Sequence, residues 1–407
     1  MSKKSIGIIC SITFLIVLIL TVFYTVQMLK IEQNPSLSES AIAPTANSTI
    51  ILDLSKTPNS GQAFCQNRPQ NEDNYTSHSN VFYYRHDLEP LLIRSLALSE
   101  NNGCHYGLFS IDDKEIALFF ANLQTETEAE RLIHLLLCYR DYFPFALVGT
   151  FSEEVSTMLC NIVDVSKYSF ENQTLFTSRI TLSVTKDFLY ELSLQSTDFT
   201  LDLTRPMIAL TYDDGPSEYT DAIVNAYRNN RAKATFFVLG AQVELWQNTI
   251  HNVFNASCEI GNHSNLHEIF SNNTSAIIQK SIEDTNRKLR SLLGIGATTV
   301  RPPTGALYDR NQNPLKIGYP IVLWEGDPKD FEENVTADSL YHNIVSLLKD
   351  GTIILMHDTK RVTADVTDRI LITIQEKGYQ TVTVSELIEF RLGGASLNTV
   401  YRGLGNE

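Results

Sequence analysis

Short apolar segments alternate with amphipathic segments from Arg205 onward, and this alternation constrains the fold more than any other feature of the chain. The apolar segments have the length of β-strands and lie at residues 207–211, 234–239, 259–262, 298–301, 321–324, 352–356 and 381–384. The amphipathic segments lie at residues 221–228, 241–248, 274–293, 337–349 and 366–377. Repeated β–α units of this length predict an α/β domain whose parallel sheet closes, or nearly closes, into a barrel. In such barrels the chemistry is carried by residues at the carboxyl ends of the strands.

The amino terminus predicts a membrane anchor. Lys3 and Lys4 precede an uncharged run of 24 residues from Ile6 to Leu29, and Lys30 ends it. A helix of that length can span a hydrocarbon core of ~30 Å. A cleaved signal peptide or a buried core helix would be the alternative, but a signal peptide has a shorter apolar region of about 7–15 residues and a small-residue cleavage site. We therefore expect a single-pass protein of the cell membrane, with a cytoplasmic tail at 1–5, a transmembrane signal anchor at 6–29 and the remainder outside.

Between the anchor and the β–α region, the sequence predicts a linker and an accessory domain. Residues 30–62 are rich in Asn, Ser, Thr and Pro, which is typical of a tether. Residues 63–203 read as an α+β domain of unknown role. Its candidate elements are a strand at 115–123, a helix at 125–142 opened by a capping box of Thr125 and Glu128, and strands at 179–184 and 192–203. The β–α domain then takes residues 204–392, and 393–407 form a carboxy-terminal tail.

Composition excludes some partners and leaves other questions open. The chain has 32 Lys and Arg against 47 Asp and Glu, for a net charge of −15, so it lacks the basic face that nucleic acid requires. An odd number of cysteines lies outside the predicted anchor, so at most two disulfides form and one thiol stays free. These cysteines are Cys65, Cys104, Cys138, Cys160 and Cys258. Their pairing and the oligomeric state stay open.

Two motifs at predicted strand ends carry the residue types of a metal site. Asp213 and Asp214 stand before a Gly-Pro turn, and such a doublet alone is as often a simple turn former. His263 and His267 are four residues apart, so on a helical turn both imidazoles would reach one ion. With Asp214 they make a two-histidine, one-carboxylate set that leaves positions open for water and substrate. Asp213 is then free to take a proton from the attacking water.

The later strand ends carry further candidates. Arg301 precedes Pro302-Pro303-Thr304-Gly305, which is either a strand ended by prolines or an arginine clamp for a carboxylate followed by a turn that aims a backbone N–H at substrate. The next two strand ends carry Trp324, Asp327, Asp330 and Phe331, and then Leu355, His357 and Asp358. A lone histidine at a strand end is more often structural. For His357 a catalytic role is favoured, because the successive strand ends all carry candidate catalytic residues.

Taken in order, TYDDGP, HSNLH, RPPTG, the WEGDPKDF stretch and LMHD resemble the five motifs of the NodB-homology polysaccharide deacetylases, carbohydrate esterase family 4. The resemblance runs from residue 205 to about 392. Each motif is weak alone, but the ordered set is specific. With the predicted anchor and accessory domain, the chain looks like the membrane-anchored peptidoglycan N-acetylglucosamine deacetylases.

The resemblance implies a distorted (β/α)7 barrel, a divalent metal, most often zinc but also cobalt or nickel, and removal of acetyl groups from N-acetylglucosamine units of a cell-wall glycan. It also implies a role for each matching residue. The metal ligands are Asp214, His263 and His267; Asp213 is the general base, held by Arg301; His357 is the general acid, oriented by Asp330; and Pro303, Thr304, Phe331 and Leu355 contact substrate.

Three positions depart from the family pattern. Thr304 stands where the family usually has Tyr, so a backbone contact would persist while a groove wall is lost. Phe331 replaces the usual Trp and keeps a smaller aromatic wall. Cys258 stands where a His is common, and we expect a buried free thiol there. None of the three belongs to the implied metal or proton-transfer groups, so we expect an active enzyme.

Other functions remain as alternatives. Deacetylation of chitooligosaccharides or of acetylated xylan would use the same residues, and a non-catalytic glycan-binding scaffold could keep the fold. A scaffold would be indicated by a broken metal set or a missing acid, and the sequence has neither. Location beside the wall favours peptidoglycan by association only.

Overall fold

The computed structural model describes parts of the first half of the chain and most of the second. The described residues are 49–53, 75–78, 82–85, 92–94, 104–111, 114–123, 125–151, 155, 157–159, 162, 179–183, 197 and 199–404. The anchor predicted at 6–29 lies outside them. Within the described ranges, no helix has both the length and the apolar character needed to cross a membrane.

The strands that the structure describes before residue 204 form two sheets. In chain order they are β1 (Thr49–Asp53), β2 (Tyr75–His78), β3 (Phe82–Arg85), β4 (Leu92–Arg94), β5 (Cys104–Ile111), β6 (Lys114–Leu123), β7 (Phe145–Phe151) and β8 (Arg179–Ser183). One sheet has the order β2-β3-β1-β8 and is antiparallel. The other has the order β4-β5-β6-β7, in which only β6 and β7 run parallel. The strand β1 lies within the segment predicted as a linker, so that prediction is wrong at these five residues.

The helix α1 (Glu126–Tyr139) joins β6 to β7 as a crossover. It begins at the predicted capping box: the Glu128 amide donates to Thr125 Oγ1, and the Thr125 amide donates to the Glu128 carboxylate. These two bonds satisfy amides that a helix start leaves without partners. One face of α1, which includes Leu132, Ile133 and Leu136, is buried.

The second half of the chain forms an α/β domain of parallel strands and surrounding helices. Its strands are β9 (Met207–Asp213), β10 (Thr235–Val238), β11 (Glu259–Asn262), β12 (Ile321–Val322), β13 (Ile353–His357), β14 (Gln380–Thr381) and β15 (Val400–Tyr401). Its helices are α2 (Thr220–Asn229), α3 (Gly240–Val243), α4 (Gln247–Asn255), α5 (Ser275–Leu293), α6 (Ala337–Ser346), α7 (Arg361–Glu376) and α8 (Val384–Leu392).

Parallel pairings lead around a closed ring, which agrees with the predicted barrel. β9 pairs with β13 and β10, and β10 pairs with β11. Single-residue bridges then join Asn262 to Val300, Val300 to Ile321, and Gly326 to Ile354 of β13, which completes the ring. β14 pairs with the first residues of β9. All seven residues of β9 are buried because the strand has neighbours on both edges and helices packed outside.

Several predicted elements differ from the structure for local reasons. The predicted strand at 298–301 is reduced to the bridging residue Val300, because the prolines that follow Arg301 have no N–H for a ladder. The predicted strand at 381–384 ends at Thr381, since Thr383 instead caps α8 in a capping box with Glu386. The predicted helix at 241–248 is divided into α3 and α4.

The ends of the β–α domain also differ from expectation. Residues 199–203, the described end of the predicted strand 192–203, form no strand; Asp202 instead accepts from the Thr204 amide in a local turn. The segment 393–407, predicted as a tail, contains β15, which pairs in parallel with β12. The helix α8 was not foreseen, because its apolar residues occur on all sides rather than on one stripe.

Helix α1 packs on the β–α domain through a buried polar cluster. Lys233 Nζ donates to Asp141 Oδ2 at 2.8 Å and to Glu386 Oε1 at 2.7 Å. The hydroxyl of Tyr142 donates to the other oxygen of Glu386 at 3.0 Å. Farther along α8, Glu389 accepts from the hydroxyl of Tyr139 at 2.9 Å. The accessory region is thereby joined to the barrel by groups that are all hydrogen-bonded.

Candidate active site

The predicted site residues converge at the carboxyl ends of neighbouring strands. Asp213 is the last residue of β9, and the strand register sets it beside His357, the last residue of β13. His263 directly follows β11, and Arg301 follows the bridging residue Val300. The parallel sheet therefore brings together residues that are far apart in the sequence.

The carboxylate of Asp213 is buried and held by Arg301. The Arg301 Nη1 donates to Asp213 Oδ1 at 2.7 Å and to Thr211 Oγ1 at 2.7 Å. The same guanidinium donates to the carbonyls of Val322 at 3.3 Å and Leu323 at 3.1 Å. Its side chain is fully buried, so its charge is balanced by Asp213 and by carbonyl oxygens rather than by water. This leaves the second oxygen of Asp213 available for other chemistry.

His263 is oriented by a backbone carbonyl. Its Nδ1 lies 2.7 Å from the carbonyl oxygen of Arg301, a contact that requires the proton to be on Nδ1. The lone pair of Nε2 then faces Asp214, whose Oδ1 lies 3.4 Å away, and Asp213, whose Oδ2 lies 3.7 Å away. A carbonyl behind the ring is the usual partner of a metal-binding histidine.

Asp214, His263 and His267 have the arrangement of a metal site. One ligand atom from each of them lies within 4.8 Å of the other two, and His267 Nε2 is 3.3 Å from Asp214 Oδ1. That oxygen is buried, yet it accepts no hydrogen bond. A buried carboxylate oxygen without a donor is costly in a folded protein, and a cation between the carboxylate and the two imidazoles would satisfy it. The residues present therefore fit a divalent ion.

The charge environment of Asp214 supports the same conclusion. Burial raises the pKa of its carboxyl, but His263, His267 and His357 outweigh that effect and hold the pKa below its ordinary value. The carboxylate is thus ionised, as a metal ligand must be.

The loop that carries the two histidines is not helical, which corrects the predicted helical turn at 263–267. It contains no helical residue, and both Ser264 (φ 72°) and His267 (φ 60°) are in the left-handed region. Asp214 also has a positive φ of 73°. Such conformations cost of order 1–3 kcal/mol each for residues other than glycine and cluster at functional sites. The imidazoles converge because the loop folds back, not because of a helical period.

His357 and Asp330 form a second pair at the opposite side of the site. His357 Nδ1 lies 2.8 Å from Asp330 Oδ1, and its backbone amide donates to Asp330 Oδ2 at 2.7 Å. Thr363 also donates to Oδ2, at 2.8 Å. Burial lowers the pKa of His357, but Asp330, Asp213 and Asp214 outweigh it, so the pKa lies above its ordinary value. The raised pKa favours the protonated imidazole, and its Nε2 is not the atom that contacts Asp330.

The four predicted substrate-contact residues divide into exposed and buried pairs. Phe331 is 46 % exposed, and its ring meets His357 edge to face with centroids 5.6 Å apart. Thr304 is exposed and has a φ of 60° in the turn that follows Arg301. Pro303 and Leu355 are buried. In the same turn, a Cβ at position 305 would lie only 3.1 Å from the Trp324 ring, and Gly305 avoids this contact because it has no side chain. Cys258 is a buried free thiol, as predicted.

Asp358 supports the turn that carries Asp214. Its Oδ2 accepts from Thr220 Oγ1 at 2.6 Å, and its carbonyl accepts from Ser217 Oγ at 2.5 Å. The carboxyl group fills the space beside Gly215, where a Cβ would lie 2.0 Å from Asp358 Oδ2. Because a Cβ would overlap this carboxyl group, glycine is required after the aspartate doublet. Burial raises the pKa of the Asp358 carboxyl to about 7, and the nearby carboxylates of Asp214 and Asp213 add to this effect.

Sequence reasoning overlooked Thr211 and Thr363 and gave Asp358 no role. Thr211 donates to the carbonyl of Ile354 at 2.7 Å and accepts from Arg301, so it fixes the arginine. The signal for Thr211 was a polar residue near the end of an otherwise apolar strand. No sequence signal indicated Thr363, since it lies on the buried face of α7 like an ordinary helix residue.

Comparison with known proteins gives four relevant matches. A family model described as polysaccharide deacetylase matches residues 201–320. The peptidoglycan-N-acetylmuramic acid deacetylase PdaC of Bacillus subtilis (strain 168) is 34 % identical over 193 residues, which are 47 % of this chain and 41 % of that protein. A peptidoglycan-N-acetylglucosamine deacetylase of Bacillus cereus is 32 % identical over 192 residues, which are 46 % of this chain and 89 % of that protein. A solved structure of Bacillus subtilis PdaC, with 34 % identity, covers 47 % of this chain and 93 % of its own, at a TM-score of 0.44.

These matches differ in how much of each protein they include. The chain spans about two fifths of the length of PdaC, but nearly nine tenths of the Bacillus cereus protein. The family segment at 201–320 contains Asp213, Asp214, both histidines of the metal set and Arg301, whereas Asp330 and His357 follow it. A relative that is matched over most of its length at this identity establishes membership: the chain belongs to the polysaccharide deacetylase family.

Proposed function

We propose that this protein is a metal-dependent deacetylase that hydrolyses the acetamido group of N-acetylglucosamine residues in peptidoglycan and releases acetate. The observation that carries the proposal is the convergence of three parts at one end of the barrel. These parts are the candidate metal set, the Asp213–Arg301 pair and the His357–Asp330 pair. Together they supply a cation site, a base and an acid, which amide hydrolysis needs as separate groups.

Asp214, His263 and His267 would hold the metal ion. Two neutral imidazoles and one carboxylate are a ligand set of catalytic zinc sites, and the same donors also suit cobalt or nickel. When bound, such an ion polarises the amide carbonyl and lowers the pKa of water toward 7. Zinc is the ion that we propose for this site.

Asp213 acts as the general base. Because Arg301 occupies Oδ1, the free Oδ2 is the atom that takes a proton from the attacking water. The guanidinium also keeps the carboxylate in place, since its other N–H groups donate to carbonyls of the barrel. An arginine that cannot rotate thus fixes the direction in which the base points.

His357 acts as the general acid. Water adds to the acetamide carbon, and the bond from that carbon to nitrogen breaks only if the nitrogen gains a proton. The imidazolium of His357, held by Asp330, donates that proton from Nε2, so the products are acetate and the free amino sugar. The proton taken by Asp213 balances the one that His357 gives.

The four predicted substrate-contact residues would bind the sugar and the acetyl group. The backbone N–H of Thr304 would donate to the developing oxyanion, a contact whose loss typically costs about 3 kcal/mol. Phe331 would stack on a sugar ring, and Leu355, with Pro303 beside it, would line the pocket for the acetyl methyl. Because Phe331 already contacts His357, a sugar bound there would lie next to the acid.

The choice of glycan rests on relatives and on the predicted anchor. The Bacillus cereus relative is named for N-acetylglucosamine and PdaC for N-acetylmuramic acid, both in peptidoglycan. A signal anchor at residues 6–29 would hold the catalytic domain outside the cell beside that polymer. We therefore propose a single-pass membrane protein with an extracellular active site.

Acetate release from purified substrates tests the proposal. The full chain would be incubated with peptidoglycan, chitooligosaccharides and acetylated xylan, with and without a chelator, and the deacetylated sugar would be identified by mass spectrometry. We expect acetate from peptidoglycan, loss of activity with chelator and recovery with zinc. Glucosamine rather than muramic acid should be the product. Release only from xylan or chitooligosaccharides would give the alternative substrate, and no release from any of the three would favour a glycan-binding scaffold.

A further inference from the structure

The two histidines of the candidate metal set are held in different ways. His263 is buried, and the carbonyl of Arg301 fixes its ring. The His267 side chain is 38 % exposed, and, among the residues that the structure describes, its ring makes no hydrogen bond apart from its approach to Asp214. The direction of the His267 imidazole therefore depends on the loop that carries it.

Two amides in the middle of that loop, those of Asn265 and Leu266, are bound by side chains instead of by backbone carbonyls. The amide of Asn265 donates to Ser281 Oγ at 2.8 Å, and the amide of Leu266 donates to Glu268 Oε2 at 2.9 Å. Ser281 Oγ in turn donates to the same Glu268 oxygen at 2.7 Å. Glu268 Oε2 thus accepts from both Ser281, on α5, and the amide of Leu266, the residue just before His267.

The backbone carbonyls of the same loop are hydrogen-bonded to the start of α3. The carbonyls of Ser264 and Asn265 accept from the first two amides of α3, Gly240 at 3.0 Å and Ala241 at 2.8 Å. The loop is therefore attached at its carbonyls to α3 and at its amides to Ser281, which is nearly fully buried on α5. Since His267 sits at φ 60°, the loop would leave this conformation if the amide contacts were lost.

We propose that Ser281 and Glu268 are positioning residues for the metal ligand His267. They act through the backbone of residues 265 and 266 and touch neither the ion nor the substrate. This inference rests on the proposed function, since it takes Asp214, His263 and His267 as the metal ligands. Loss of outer partners of metal ligands typically weakens metal affinity by 10- to 100-fold.

The test is the zinc affinity of the full chain, measured by competition with a chromophoric chelator. The variants are S281A, E268A, the double variant S281A/E268A and the conservative variant E268Q. The matched controls are S291A, on the exposed side of α5, and E376Q, at an exposed position on α7. The thermal midpoint of each metal-free protein is recorded beside the affinity.

We expect S281A and E268A each to raise the zinc dissociation constant by about tenfold or more. The double variant should bind more weakly than either single variant, but by less than the product of the two effects, because both single variants already remove the Ser281–Glu268 hydrogen bond. E268Q should bind within about threefold of the parent, since its amide oxygen can accept both hydrogen bonds. The two controls should bind as the parent does.

The outcomes separate this inference from the proposed function. If the parent protein binds no zinc, the metal site itself is wrong and both proposals are overturned. If the parent binds zinc and S281A and E268A bind it within twofold of the parent, only the positioning role is overturned. A fall in the thermal midpoint with unchanged affinity has the same meaning, because it indicates a merely structural role. If S281A fails to fold, the comparison of E268A with E268Q carries the test alone.

Discussion

Two of the buried clusters of charged side chains in the described part of the chain are built on opposite plans. In the cluster between α1 and the barrel, Lys233 binds two carboxylates, Asp141 and Glu386, and Glu386 also accepts from Tyr142. Burial lowers the pKa of Lys233, but the two carboxylates outweigh it and hold the pKa above its ordinary value. In the catalytic cluster, Asp214 Oδ1 is buried and accepts no hydrogen bond. In the first cluster, called the interface cluster below, the charged groups are paired with one another. In the catalytic cluster, a cation would satisfy the carboxylate oxygen that has no hydrogen-bond donor.

The backbone differs in the same way. Tyr139 and Glu386 of the interface cluster lie on α1 and α8, and its other residues, which lie on loops and turns, are Lys233, Asp141 and Tyr142. None of these residues has a positive φ value. The catalytic cluster is carried by loops in which Asp214, Ser264 and His267 have positive φ values. Strained backbone and an unsatisfied acceptor at one place indicate ligand binding, whereas full pairing on unstrained backbone indicates a structural role. The comparison predicts that substitutions in one cluster change catalysis and in the other change stability.

The largest expected effect is on turnover, from D213N. The amide oxygen can still accept from Arg301, so the fold and the three metal ligands remain, but the base can no longer take a proton. We expect kcat to fall by about 10³-fold, within the usual range for loss of a general base. Acetate release would be measured together with zinc affinity and the thermal midpoint, which should both stay close to the parent values. Activity of D213N within tenfold of the parent would show that Asp213 is not the base.

The interface cluster should respond to K233M in the opposite manner. This change leaves Asp141 and Glu386 without their buried cation, and breaking such a pair costs about 3–5 kcal/mol. Chemical denaturation would measure the loss, while kcat per folded molecule should stay unchanged. The control K349M removes an exposed pair with Glu325 and should cost less than about 1 kcal/mol. Equal stability of K233M and K349M would mean that the interface cluster does not hold α1 to the barrel.

The sequence predicted the catalytic cluster far better than the interface cluster. Asp213, Asp214, His263, Arg301 and His357 each follow or end a strand, so the rule that chemistry lies at the carboxyl ends of parallel strands was enough to bring them together. The roles of these residues came from the family resemblance, not from periodicity. The loop conformation at 263–267 was not predictable, because several of its hydrogen bonds come from Ser281 and from α3, which are distant in the sequence.

The interface cluster gave no sequence signal. Lys233 and Glu386 are 153 positions apart, and each looks like an ordinary surface residue in its own segment. Glu386 was hidden further because α8 itself was not predicted. Partners this distant become visible only when the fold brings their segments together, which local patterns do not encode.

A smaller effect is expected on the pH profile of D330N. Loss of the carboxylate removes the main group that raises the pKa of His357, so its pKa should fall. Because the acid must be protonated to act, the alkaline limb of the pH profile of kcat/KM should move to lower pH. In addition, kcat should fall about tenfold, because the His357 ring loses the contact that orients it. The control D327N lies three positions away and pairs with Lys329 instead. An unmoved alkaline limb in D330N would remove His357 from the acid role.

The smallest effect is expected from Y142F, which removes one hydroxyl from the interface cluster and keeps the ring. Glu386 loses a donor at 3.0 Å but retains Lys233 and the backbone amide of Thr383, so no charge is left without a partner. A hydrogen bond to a charged group contributes about 1.5 kcal/mol, and the free energy of unfolding should fall by that amount. Y308F, at a half-exposed position, should leave stability unchanged. If Y142F lost as much free energy of unfolding as K233M, then Tyr142, and not the ion pair, would set the stability of the cluster. A change in kcat would contradict the separation of the two clusters.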